Sequence, residues 1–270
     1  MASKKSGPKT DAGKVLMANP EDLIRIVPLH LPDQVLMRPA GLAALPTPAL
    51  SYRGGPLLSA VKVFTIYWGD AWNQKSQADL VSKLNAFFGF ILTSPLIDQL
   101  TEYNVPNSSI HHGSFVGTIT LTNPAPPRSA SDAAIQHLLQ GQIMNNPAFP
   151  QPDANTLYFL YLPPGLVVVQ GGGRSCQAFC GYHDNINGQI FYAVMPYPGC
   201  AGCTGGLSVL DALTSTSSHE LCEAITDPIP GQGWYDDVQG EIGDICAWKT
   251  KQIGDYTVQL EWSNQASACV

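Results

Sequence analysis

Seven cysteines, at positions 176, 180, 200, 203, 222, 246 and 269, all fall in the C-terminal part of a 270-residue chain. An odd number leaves at least one thiol without an intramolecular partner. Cys176-x3-Cys180 and Cys200-x2-Cys203 have spacings that could bind zinc, but Gly172, Gly173, Pro198, Gly199 and Gly202 around them describe the turn-rich loops that disulfides staple, and this composition favours disulfides. Cys222, beside Leu221 and Ala224 in a helical stretch, reads as the buried free thiol. Cys246 with Cys269 then makes a bridge closing the C-terminal segment. Such cysteine usage points outside the cytosol. Residues 1–20 carry Lys4, Lys5, Lys9 and Lys14 but no sustained apolar run, so no standard secretory signal is read there.

A formal charge of −7, with no basic run beyond Lys4-Lys5, lacks the electrostatic footprint that phosphate backbones require, and nucleic acid is not expected as a partner. Charged residues make up 13% of the chain, about half the roughly 25% usual for globular domains. With 25 Gly and 22 Pro this suggests a strand-rich, turn-rich body with a neutral surface. The longest apolar stretch, Leu157 to Val169, is broken by Pro163, Pro164 and Gly165 and is too short to span a bilayer, so no membrane span is expected.

Residues 1–50 read as a flexible tail followed by a Pro-rich, weakly structured arm, because Pro28, Pro32, Pro39, Pro46 and Pro48 exclude regular hydrogen bonding. Residues 51–270 read as one domain. Val61 to Trp68 is rich in β-branched and aromatic residues and predicts a strand. Leu80, Leu84, Phe87, Phe88 and Ile91 recur at three- and four-residue steps and predict a helix over about Lys75 to Leu92. A strand within Ile110 to Leu121, a helix over Ser131 to Met144, a buried strand at Leu157–Leu162 and a further strand at Ile190–Met195 follow by the same logic. This succession argues an α+β or α/β domain with a mixed sheet.

The chemistry concentrates in His219-Glu220-Leu221-Cys222-Glu223. On a helix, positions i and i+4 share a face one turn apart, so His219 and Glu223 can hold one ion while Glu220 stands beside it. That is the geometry of the His-Glu-x-x-His zinc signature, in which the intervening Glu acts as general base on a bound water. A carboxylate ligates zinc at about the same distance as an imidazole, so Glu223 in place of the second His is admissible, though it leaves a weaker Lewis acid. The helix closes at Asp227-Pro228, and the chain turns back through Gly231, Gly233 and Gly240 to offer Asp236, Asp237, Glu241 and Asp244. Asp244 or Glu241 is the preferred third ligand. His183 or Tyr182, next to the first Cys pair, would stand over a substrate as an oxyanion donor. Blander readings compete: Ser217-x-x-Glu220 matches a capping box, and Asp227, Asp236 and Asp237 suit ordinary turns or a calcium cluster. No Gly-x-Ser-x-Gly elbow occurs, which argues against a serine hydrolase.

Ser218 to Pro228, Gly233-Trp234-Tyr235-Asp236 and Gly240-Glu241-Ile242-Gly243-Asp244-Ile245-Cys246 resemble a group of microbial proteins distantly similar to the plant EXORDIUM (phosphate-induced) proteins. Looser matches are Tyr52 to Leu58, Cys180-Gly181-Tyr182-His183, Pro198 to Cys203 and Trp262-Ser263-Asn264. The resemblance implies an extracellular protein with a zincin-like core, His219 and Glu223 as ligands and Glu220 as base. Two functions stay open on the sequence. One is a zinc-dependent hydrolase, a metallopeptidase acting on a peptide or cell-wall substrate. The other is a non-catalytic extracellular binding protein with a structural zinc or calcium ion and exposed aromatics such as Trp234 and Tyr235 for sugar or peptide.

Overall fold

Leu157 to Leu162 has no polar face, and a strand of that kind is stable only when both of its faces are covered. In the computed structural model, which describes residues 26–30 and 46–270, this segment is the middle of a six-stranded sheet. The strands are β1 (Ile26–Pro28), β2 (Lys62–Trp68), β3 (Ser114–Leu121), β4 (Thr156–Tyr161), β5 (Phe179–Ile186) and β6 (Ile190–Met195), in the spatial order β1-β5-β6-β4-β2-β3. β3, β2, β4 and β6 run parallel. β5 runs antiparallel to β6, and β1 antiparallel to β5. The chain is therefore α/β with a mixed sheet.

Side chains alternate across β4. Leu157, Phe159 and Tyr161 enter a core shared with Leu84 and Phe87 of α1 (Lys75–Ile91) and Leu213 and Leu221 of α3 (Val209–Thr226), while Tyr158 and Leu160 enter a second core with Ile135 and Leu139 of α2 (Asp132–Asn145). Helices thus cover both faces, and the sheet is the middle of three layers. Tyr182, on β5, points into the α2 side, where its hydroxyl donates to Asp132 Oδ1 at 2.8 Å. That engagement corrects the expectation that Tyr182 faces a substrate.

The predicted elements over Val61–Trp68, Lys75–Leu92, Ser131–Met144, Leu157–Leu162 and Ile190–Met195 are present within two residues at either end. Three differences stand out. Ile26–Pro28, inside the expected weakly structured arm, pairs with β5 as a strand, and Trp248 Nε1 donates to Pro28 O at 2.8 Å. Residues 31–45 of that arm, and residues 1–25, lie outside the described residues. Second, α3 begins at Val209 and is capped by Ser208, whose Oγ accepts from Asp211 N at 3.2 Å. Ser217 and Glu220 are therefore mid-helix, and the capping-box reading of that pair fails. Third, Tyr235 is buried, with the Arg53 guanidinium over its ring, and Trp234 packs against Tyr52 and Tyr103. Neither ring is the exposed contact expected of a sugar-binding surface.

Three disulfides join Cys176 to Cys200, Cys180 to Cys203 and Cys246 to Cys269, and Cys222 is free and buried. Such bonds persist in oxidising compartments. Among the described residues no single helix is long and apolar enough to cross a membrane. Cys246–Cys269 spans 23 residues, and closing a loop of that length removes about 3 kcal/mol of unfolded-chain entropy. A Cys246→Ser/Cys269→Ser double variant is therefore expected to lose roughly 3 kcal/mol in urea unfolding; an unchanged midpoint would show that the bridge does not constrain the unfolded chain.

Candidate metal centre

α3 lies between the sheet and a C-terminal hairpin, β7 (Thr250–Ile253) and β8 (Tyr256–Gln259). Every residue from Ala212 to Thr226 is consequently buried. A helix covered on all sides is normally apolar all round, yet this one carries Thr214, Ser215, Ser217, Ser218, His219, Glu220, Glu223 and Thr226. Four of the hydroxyls have found partners: Thr214 Oγ1 donates to Thr257 O, Ser217 Oγ bonds Tyr161 Oη, Ser218 Oγ donates to Ser215 O, and Thr226 Oγ1 donates to Cys222 O. The imidazole has not, and each of the two carboxylates keeps one oxygen without a partner. His219 Nδ1 and Nε2, Glu220 Oε1 and Glu223 Oε2 are all buried without a hydrogen bond.

Two segments bring further groups to this face. The carboxylate of Asp227 accepts the amides of Gly231, Gln232 and Gly233, which folds the chain back directly after the helix. Asp236 caps the next turn, accepting from Val238 N and Gln239 N, and Asp237 pairs with Arg53 at the surface. These three acids are turn residues, as the bland reading held. The returning segment then delivers Asp244. Its Oδ2 accepts from Glu241 N at 3.1 Å, its own amide donates to Glu223 Oε1 at 3.1 Å, and its Oδ1 is left unpartnered 3.9 Å from His219 Nε2. Gly243 is required here, because a Cβ at that position would come within 2.8 Å of His219 Cγ and Nδ1.

His219, Glu223 and Asp244 present one ligand atom each within 4.8 Å of one another. Nε2 of His219 stands 2.9 Å from Glu223 Oε1, yet this contact lacks hydrogen-bond geometry. Adjacent ligand atoms around one ion, with bonds of about 2.0–2.2 Å, are separated by roughly 3.0–3.6 Å, a range that the 2.9 and 3.9 Å separations of His219 Nε2 from Glu223 Oε1 and Asp244 Oδ1 bracket. The Cys176, Cys200 and Cys203 sulfurs also cluster, but all three are in disulfides.

His183 comes from β5, on the strand face opposite Tyr182. Gly181 allows the approach: a Cβ there would meet Thr216 Cγ2 at 2.7 Å and Glu220 Oε1 at 3.0 Å. Nδ1 of His183 lies 3.2 Å from Glu220 Oε2 and 3.5 Å from Glu223 Oε2. Nε2 lies 3.1 Å from Asp227 O and 3.5 Å from Glu241 Oε1. Both nitrogens are engaged within the protein, which leaves no N–H for the oxyanion role expected of this residue. Glu241, expected as an alternative ligand beside His219, stands instead on the far edge of the His183 ring, with both oxygens unpartnered.

Electrostatics reinforce the picture. Burial pushes both imidazoles toward neutrality, but the carboxylates outweigh it and hold them well above the usual histidine range, Glu223 for His219 and Glu241 with Glu220 for His183. Burial and the neighbouring Glu223 raise the carboxyls of Asp244 and Glu241. Burial also raises Glu220, against the His183 contact. Glu261 was not singled out from the sequence. It is fully buried with neither oxygen hydrogen-bonded, and burial raises its carboxyl too. An acid isolated between Leu260 and Trp262 was the only available signal. Carboxyls so enclosed ionise only where positive charge reaches them, since each unpaired ion costs several kcal/mol to bury.

No protein family and no curated protein matches this chain. The assignment therefore rests on geometry. Gly243→Ala is expected to weaken metal binding at least tenfold, by displacing His219 and Glu223 (about 1.4 kcal/mol per decade), while circular dichroism stays that of the parent; wild-type affinity in the variant would show that the His219 ring does not hold the ion.

Proposed function

We propose that this chain is a metal-dependent hydrolase of zincin-like architecture that works outside the cell, with zinc on His219, Glu223 and Asp244 and Glu220 as general base toward a peptide bond. The observation that carries the reading is the unpartnered Glu220 Oε1, one residue along the helix from His219 and fully buried. A purely structural ion has no need of a free carboxylate oxygen there. The resemblance to the EXORDIUM proteins belongs with this reading, since two of its three specific segments, Ser218–Pro228 and Gly240–Cys246, carry the residues gathered at the centre. The three disulfides suit an extracellular setting. The His219 imidazole among the donors favours zinc over calcium, which takes oxygen ligands.

A bound divalent ion supplies Lewis acidity, polarising a carbonyl and easing the ionisation of water. The protein's own groups do the rest. Asp227 O fixes the N–H on His183 Nε2; His183 Nδ1 holds Glu220 Oε2; and Oε1 is left to take the proton of the attacking water.

A second reading has a specific observation behind it. His219, Glu220 and Glu223 have no exposed surface and β1 runs along the β5 edge, with Val27 Cγ2 3.5 Å from where a Gly181 Cβ would be. Such enclosure suits a structural ion in a non-catalytic extracellular protein.

Glu220→Gln separates the two. The hydrolase reading expects the variant to keep the His219 ion and to lose roughly 10²- to 10⁴-fold in hydrolysis of a fluorogenic peptide library, the usual weight of a general base. Zinc-loaded wild type that cleaves nothing in the library, or a variant as active as wild type, contradicts it.

A further inference from the structure

We propose that the centre is built for two divalent ions, the second held by His183 Nδ1, Glu220 Oε2 and Glu223 Oε2, with Glu223 bridging the pair. This rests on the first ion proposed above and deepens it, because the two positions share a carboxylate.

The argument starts from the tautomer of His183. Its Nε2 faces only acceptors, the Asp227 carbonyl oxygen at 3.1 Å and Glu241 Oε1 at 3.5 Å, so Nε2 carries the proton. With Nε2 so committed, Nδ1 faces Glu220 Oε2 at 3.2 Å and Glu223 Oε2 at 3.5 Å, and a metal ion binds it by displacing its proton. Three acceptors facing one point repel unless something positive lies between them. A proton there joins one pair and leaves the third atom alone; Glu223 Oε2 is such an atom, fully buried and without a hydrogen bond. A divalent ion satisfies all three together. The separations of 3.2 and 3.5 Å are the ligand-to-ligand spacings that metal–ligand bonds of about 2.0–2.2 Å produce. These three residues, like His219, Glu223 and Asp244, offer one atom each within 4.8 Å of one another.

The surroundings fit as well. A metal-binding imidazole ordinarily donates its other N–H to a backbone carbonyl or carboxylate, which orients the ring, and Asp227 O with Glu241 supplies both. Glu223 directs Oε1 to His219 and Oε2 to His183, the disposition of a carboxylate bridging ions about 3.5–4 Å apart. Charge points the same way. Glu220, Glu223, Asp227, Glu241 and Glu261 are buried, and Asp244 is half-buried, around two imidazoles, an excess that a single dication leaves largely uncompensated. Glu220 bound through Oε2 keeps Oε1 free, so its role as proton acceptor stands.

The test is zinc stoichiometry. Full-length protein, disulfides intact, is stripped with chelator, reloaded with zinc, desalted and measured by mass spectrometry of metal against protein. Two zinc per chain are expected in wild type, and one in His183→Ala and in His219→Ala. Wild type saturating at one, with His183→Ala also at one, overturns the second ion but leaves the first reading intact. No zinc in wild type overturns both. If His183→Ala does not fold, anomalous diffraction from zinc-loaded wild-type crystals decides: two peaks about 3.5–4 Å apart support the pair, and a single peak on His219 refutes it.

Discussion

Glu223 is the residue on which the interior depends. It sits in the last turn of the most enclosed helix in the fold, and its two carboxylate oxygens address different imidazoles, His219 at 2.9 Å and His183 at 3.5 Å. Low-dielectric surroundings make those contacts strong and make any lapse in them costly. Ionised carboxylates on a helix buried against the central sheet require positive charge close by, and the proposed ion would supply it at this spot.

The arrangement draws on segments far apart in sequence. The sheet contributes His183 through β5, admitted by the absence of a side chain at Gly181. The turn after α3 is drawn in by three amides on the Asp227 carboxylate and passes its own carbonyl to His183. The segment with Glu241 and Asp244 is pressed onto the helix at Gly243 and anchored next door by Cys246–Cys269. Beneath, the C-terminal hairpin closes the helix's remaining face through Gln259, whose amide donates to Ser218 Oγ and whose side chain donates to Gly243 O. Covalent and hydrogen-bonded constraints thus hold the proposed ligands together.

What the sequence made legible follows the range of the interactions involved. Helices α1 and α2 and the strands β2, β4 and β6 could be read because their burial patterns repeat locally. His219 and Glu223 were readable together because one helical turn fixes their spacing. The return of Asp244 to that turn could be anticipated as one of two choices, because few residues separate it from the helix end. The long-range parts were not legible. β5 was hidden between cysteine-rich loops, so His183 was taken for a loop residue over a substrate when it is a strand residue facing Glu220. Glu261 carries no motif, and its burial comes only from packing of the last segment. The capping-box reading of Ser217 and Glu220 failed because the same four-residue pattern recurs upstream, where Ser208 and Asp211 cap the helix.

Calorimetry of the stripped protein, titrated with zinc, tests most directly whether the buried cluster is a metal centre. A ligand that binds only the folded state at a hundred times its dissociation constant stabilises by about 2.7 kcal/mol, which for a chain of this size is a rise of roughly 5–10 °C in unfolding temperature. The account predicts that rise in wild type and its loss in Glu223→Gln; an unfolding temperature indifferent to zinc would contradict it.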